Sequence, residues 1–342
     1  MNTAMLDDVS LIALLVAMGL YAAAFIAFAL DLARRSALVA DAATARQPSA
    51  VGATARQPSA VGATAARRGG TATLEREPAS SGPDAPVAAG RSLSLNVAMV
   101  LLVVGFVAHA VATVLRGLAA SRVPWANMYE FAMTGTLLIL SVYLIVLTRR
   151  DLRFLGTFVT GLILILLGVA VVQYRVEVSP LPPSLQSYWL VIHVFVAALG
   201  TGFFALAFAL SGVQLLQFRR ESLAADAKAA KMRFLATLPD SVTLESMAYR
   251  LNIVGFIFWT FTLMAGAIWA ERAWGRYWGW DTKEVWTFII WVLYAGYIHA
   301  RATRGWRGSR SAWLAVIGFS AVMFNFGVVN VFFKGLHTYS GL

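Results

Sequence analysis

No cysteine occurs anywhere in the 342 residues. That absence excludes a disulfide framework, a thiol nucleophile and a CxxC redox pair within the chain. Any thiol chemistry in which the protein takes part must come from a partner or a substrate. Charge is scarce as well. Charged residues make up 13% of the chain, where a soluble domain carries about 25%. What fills the space is apolar: 59% of residues are hydrophobic, and several runs reach the roughly 20 residues that cross a bilayer as a helix. The chain is expected to be an all-α, polytopic membrane helical bundle.

Eight spans are expected, at 10–32, 93–115, 128–148, 153–173, 188–218, 251–271, 285–302 and 312–334. The fifth is long enough to tilt or to protrude. The first lacks a basic leading region and a small-residue cleavage site, and Arg34 and Arg35 follow it, so residues 1–35 read as an anchor helix and not a signal peptide. Residues 36–92 are rich in Ala, Gly, Pro, Ser and Thr and hold a perfect repeat, ARQPSAVGAT, at 45–54 and 55–64. Such composition buries too little apolar surface to offset ordering entropy and predicts a flexible linker. Residues 93–342 then form the main membrane domain. Segment 219–250 mixes basic and acidic residues and suits either a solvated connector or an amphipathic helix on the membrane surface.

The net charge of +11 raises the question of nucleic acid, but its distribution answers it. All but seven of the 28 basic residues fall at 33–92, 149–153, 219–250 and 301–311, loops on one side of the spans. The exceptions are Arg116, Arg122, Arg175, Arg272, Arg276, Lys283 and Lys334. That asymmetry is the positive-inside pattern, and it puts both termini and the 271–286 loop outside. No nucleic-acid partner is implied.

With no cysteine, histidine is the natural metal ligand, and only four are present: His109, His193, His299 and His337. His193, in YWLVIHV, lies a turn or two below the outer surface, and His337, in GLHTYS, lies just beyond the last span. The two share a level and could offer axial imidazoles from opposite sides of a planar ligand. His299 is 13 residues past Trp286, about 20 Å deeper along a helix. It is either an interfacial histidine beside Arg301 or a site within the membrane. His109 has no distinctive sequence partner, and packing and ligation suit it equally.

Between spans six and seven runs ERAWGRYWGWDTKEVW, residues 271–286. Surface tryptophans such as Trp125, Trp189, Trp306 and Trp313 fit an ordinary aromatic belt. Trp274, Trp278, Trp280 and Trp286 fit it less well, being bunched with Gly275 and Gly279. Small residues between rings let a flat ligand approach the backbone. Arg276 and Lys283 are candidate partners for anionic groups, and Asp281 and Glu284 are polar anchors. A metalloporphyrin meets each demand: a large flat apolar ring, anionic propionates, and iron that takes two histidines.

WGRYWGWDTKE resembles the tryptophan-rich WWD signature of heme-handling membrane proteins. The histidines flanking it, together with RVPWANMYEF at 122–131, resemble the CcsA/ResC branch of the System II cytochrome c synthase. The resemblance covers about 93–342; Thr282 stands where many members carry proline, and the 36–92 insert is outside the pattern. What it implies is specific. His193 and His337 would be external axial ligands of heme b, and His299 the ligand of a deeper heme whose second histidine comes from a ResB-type partner. Trp274, Trp278, Trp280 and Asp281 would shape the external site. The implied role is to carry heme across the bacterial cytoplasmic membrane and present it to the CxxCH thiols of apocytochrome c, with a thioredoxin-like reductant as a further partner. Enzyme activity, as holocytochrome c synthase, would belong to the assembled complex. Competing expectations are a heme exporter or chaperone without ligation, a b-type electron-transfer subunit, and a small-molecule transporter with an aromatic cage.

Overall fold

The computed structural model describes residues 2–45, 92–181, 185–223, 229–303, 305–333 and 335–337. All eight expected spans are helices: α1 Thr3–Ala45, α2 Leu93–Ala120, α3 Met128–Leu147, α4 Gly156–Gln173, α5 Tyr188–Ser222, α6 Ser241–Trp274, α7 Thr282–Ala302 and α8 Ser309–Phe324. The last continues through a π-helical turn, Asn325–Val329, to Phe332. Among the described residues seven helices are long and apolar enough to cross a membrane by length and composition, and α7 is the one left out. It has spanning length, but Trp286, Trp291, Tyr294, Tyr297 and His299 dilute its apolarity. Helix α1 runs on to Ala45, into the segment expected to be flexible. The remainder of that linker, including the repeat from residue 46 onward, lies outside the described residues.

Helix ends follow local chemistry. Side chains of Asn127, Asp240 and Asp281 accept hydrogen bonds from backbone amides in the first turns of α3, α6 and α7, which satisfies donors the helix itself cannot. Gly275 ends α6 at φ 67°, the left-handed cap that glycine adopts without strain. The 219–250 segment is neither a free connector nor one amphipathic helix. Helices α5 and α6 extend into it from both sides, and residues Ala229–Thr237 form short 3₁₀ turns with Leu235 fully buried.

Two ends of the bundle are fastened by buried ions. At one end Arg301 pairs with Glu245 at 2.5 Å, and Glu245 also accepts from the Gly308 amide at 2.8 Å and the Ser311 hydroxyl at 3.1 Å, joining α6, α7 and α8. At the other end the fully buried Arg116 of α2 bonds Asp7 of α1 at 2.5 Å, Glu130 of α3 at 3.1 Å and the Val176 carbonyl at 2.9 Å. Arg122 reaches the other Glu130 oxygen at 2.6 Å. The N-terminal end of α1 therefore stands at the same end of the bundle as the start of α3. The tryptophan loop stands there too, since Lys283 and Met128 share Asn330 as a neighbour.

Candidate functional site

A cavity of about 210 Å³ opens between α3, α5, α6, α7 and α8 at the end that carries the tryptophan loop. Its lining is mostly apolar and aromatic, as small-molecule sites are. Both His193 and His337 line it, with Trp269 and Trp278. So do Trp125, Asn127 and Met128, which bring the 122–131 segment into the wall. Trp125 therefore does more than sit in an interfacial belt. Glu130 holds that wall in place: it accepts from the Ala126 amide at 3.0 Å, and its own amide is capped by Asn127 at 2.9 Å.

His193 sits in the second turn of α5, pressed against α6. A Cβ at Gly266 would come within 2.8 Å of its ring, so only glycine lets the imidazole lie this close to the α6 backbone. Its Nδ1 lies 3.0 Å from the Thr262 carbonyl. A carbonyl only accepts, so Nδ1 carries the proton and Nε2 keeps its lone pair. The ring stacks on Trp269, centroids 5.8 Å apart and planes 14° from parallel.

His337 arrives from the far end of α8. Its Nδ1 lies 3.1 Å from the Asp281 carboxylate, whose other oxygen accepts from the Leu336 amide at 2.8 Å. Nδ1 donates here as well and leaves Nε2 open. The bond from His337, helped by the Lys283 and Leu336 amides, holds the Asp281 carboxyl down at about 2, well below its ordinary 3.8. The His337 ring meets Trp274 edge-on at 4.8 Å and Trp269 at 5.5 Å. Trp269, only 1% exposed, is thus the shared partner of both histidines.

The other named residues separate into layers. Trp278 and Lys283 face the cavity. Trp274 and Asp281 stand behind His337. Arg276 is spent on Glu284 at 3.2 Å and lies over the Trp274 ring. Glu284 organises the loop: it accepts from the Gly279 amide at 2.8 Å and the Asp281 amide at 3.1 Å, completing a capping box with Asp281. Trp280 points outward, 74% exposed, at φ 59°, a conformation unusual for a bulky residue and one that local structure must hold.

The remaining histidines behave differently. His109 is fully buried, its Nε2 3.0 Å from the Met133 carbonyl and its Nδ1 3.3 Å from the Tyr21 hydroxyl, so both ring nitrogens are used. His299 is exposed near the far end of α7 and does not line the cavity. Sequence reading missed Trp269, Thr262, Asn325 and Asn330. Only Trp269 carried a signal, standing five residues before Trp274 and just ahead of the aromatic cluster.

Residues 125–337, more than half of the chain, match the family model described as cytochrome C assembly protein. The match begins at Trp125 and ends at His337, both in the cavity wall. This chain belongs to the cytochrome c assembly protein family. It is 33% identical over 249 residues to a cytochrome c biogenesis protein CcsA of Heterosigma akashiwo, covering 64% of this chain and 77% of that one. It is 35% identical over 245 residues to the CcsA of Guillardia theta, covering 66% and 80%. Against the CcsA of Prochlorococcus marinus it is 30% identical over 271 residues, covering 73% and 86%. These relatives agree with the CcsA-type resemblance of the tryptophan motif and its flanking histidines.

Proposed function

We propose that the loop end of this cytochrome c biogenesis protein binds heme b as substrate, through Nε2 of His193 and of His337, and presents it for covalent attachment to apocytochrome c. One observation carries the reading. Each of the two histidines anchors Nδ1 on a protein acceptor and leaves Nε2 uncommitted, and both line one aromatic-walled cavity. That is the arrangement by which proteins orient metal-binding imidazoles, the second-shell acceptor fixing tautomer and ring direction. The Asp281–His337 pair is its carboxylate form and the Thr262–His193 pair its carbonyl form.

The chain's own contribution is binding and orientation. His193 and His337 would hold the heme iron through their imidazoles and keep other ligands off it. Trp269 and Trp278 supply flat apolar wall. The chemistry then asks little more than proximity. A CxxCH thiol adds across a vinyl group: a carbon–sulfur bond forms, the thiol proton goes to the neighbouring vinyl carbon, and no electrons are exchanged. The histidine of CxxCH replaces one protein imidazole, which frees the product. A ResB-type partner supplies the second ligand for heme near the exposed His299, and the loop end faces out of the bacterial cytoplasmic membrane. Delivery of reduced apocytochrome falls to a thioredoxin-like protein. A b-type electron-transfer role would need a second deep histidine, and His109 has both nitrogens already spent.

The test is to supply this chain and a ResB-type partner to a host lacking its own maturation system and to look for heme that stays on cytochrome c in a denaturing gel. Covalent heme with wild type, and none with the His193→Ala, His337→Ala double variant, is expected. Heme bound by the membrane proteins with no covalent product would turn the reading to an exporter without ligation.

A further inference from the structure

The sequence offers two cations, Arg276 and Lys283, for anionic groups of a ligand, and the structure treats them differently. Arg276 is paired with Glu284 and does not line the cavity. Lys283 lines it, and among the described residues no carboxylate comes within ion-pair distance of its ammonium. Its two hydrogen bonds go to neutral groups, the Asn325 carbonyl at 2.8 Å and Asn330 Oδ1 at 2.6 Å. The two acids beside it in sequence are taken by other groups: Glu284 by Arg276 and the Gly279 and Asp281 amides, and Asp281 by His337 and Leu336.

Both asparagines belong to the π-helical turn at the end of α8 or the residue just after it, and both line the same cavity. Such turns occur often at functional sites. Asn330 is held by Met128, its amide donating to Sδ at 3.3 Å. Asn325 is 5% exposed, and its Oδ1 is buried with no hydrogen-bond partner. A buried polar end without a partner is costly, and so is a cation left with neutral partners in an apolar wall. Among the described residues Asn325 Nδ2 forms no hydrogen bond, and it is not enclosed as Oδ1 is, so its N–H donors remain on offer. An anion with two acceptor oxygens would meet the ammonium and the Asn325 N–H donors together.

We propose that Lys283, Asn325 and Asn330 form a carboxylate subsite in the cavity wall. Lys283 gives the third N–H of its ammonium as a charge-assisted hydrogen bond, and the Asn325 amide N–H binds the second oxygen. Resting on the heme reading, the subsite takes one propionate and thereby fixes the rotation of the macrocycle about the axis between His193 and His337. That rotation decides which edge, and so which vinyl groups, meets the incoming thiols.

The experiment compares hemin with its dimethyl ester, which lacks the carboxylates, in absorption titrations of the detergent-purified full chain. Wild type is expected to bind hemin at least tenfold more tightly than the ester. Lys283→Gln is expected to lose at least tenfold toward hemin and to stay within twofold of wild type toward the ester, whose retained binding also shows the variant folded. Lys283→Arg keeps the preference. Asn325→Leu reduces it without removing the charge and serves should Lys283→Gln not fold. An equal loss for both ligands, or no loss for either, overturns the subsite. Displacement of hemin by stoichiometric anionic phospholipid overturns it too, since the subsite would then serve a lipid headgroup. The heme reading fails separately, if the His193→Ala, His337→Ala variant keeps the wild-type spectrum.

Discussion

The cavity end and the α1–α2–α3 seam treat the same side chain in opposite ways. At the seam, His109 is enclosed, donates to Met133 and accepts from Tyr21, and has nothing left to offer. At the cavity, His193 and His337 each spend one nitrogen and keep the other. Burial alone does not separate His109 from His193; the count of committed ring nitrogens does. The lesson extends to charge. Glu130, Arg116, Arg122 and Asp7 form a network of opposite charges and build a wall, whereas Lys283 lines that wall's cavity with only neutral partners.

The comparison can be broken most directly at the two cavity histidines. Replacing His193 and His337 together by alanine is expected to abolish axial coordination at the loop end, read as loss of the sharp reduced absorption bands, with recovery on adding imidazole. Next in size is Glu130→Ala. It takes from Arg122 its carboxylate and from Arg116 one of two, Asp7 remaining, and breaking a buried ion pair costs about 3–5 kcal/mol, visible as a lowered unfolding temperature in detergent. Asp281→Asn leaves His337 in place but weakens its orienting bond, and loss of a second-shell partner costs roughly 10–100-fold in metal affinity. The carboxyl's depressed value of about 2, against an ordinary 3.8, sets the sign. Its contribution to stability is fully present above 3.8 and is lost as pH falls through about 2. Wild-type binding should therefore show no Asp281-linked step between pH 5 and 8. His109→Phe removes two buried hydrogen bonds and should cost about 1–3 kcal/mol of stability, with the loop-end heme spectrum unchanged. His299→Ala is expected to change that spectrum least of all.

Much of this was readable in the chain. The eight spans show because apolar runs need only be long, and the loop shows because tryptophan and glycine crowd into one short stretch. His193 and His337 could be matched because span boundaries set their depth. Thr262, Gly266, Asn325 and Asn330 could not be found the same way. Each sits in an almost wholly apolar helix, where lipid-facing and core-facing sides are equally greasy and no periodic pattern marks the inner face. Lys283 was visible as a candidate, but its difference from Arg276 depends on whether each one meets an acid, and that is a matter of packing. Helix α1 outran its expected end because the alanine-rich stretch after Arg35 favours helix as readily as it tolerates flexibility.

The central claim is that two histidines with free Nε2 atoms, and not the other two, hold heme at the loop end. Reduced and oxidised absorption spectra of the purified chain with its partner, for His193→Ala, His337→Ala and His109→Phe side by side, test it in one series. The account predicts that each loop-end variant weakens the reduced bands, that imidazole restores them, and that His109→Phe matches wild type. Wild-type spectra in the two loop-end variants, or lost bands in His109→Phe while its fold is retained, would contradict it.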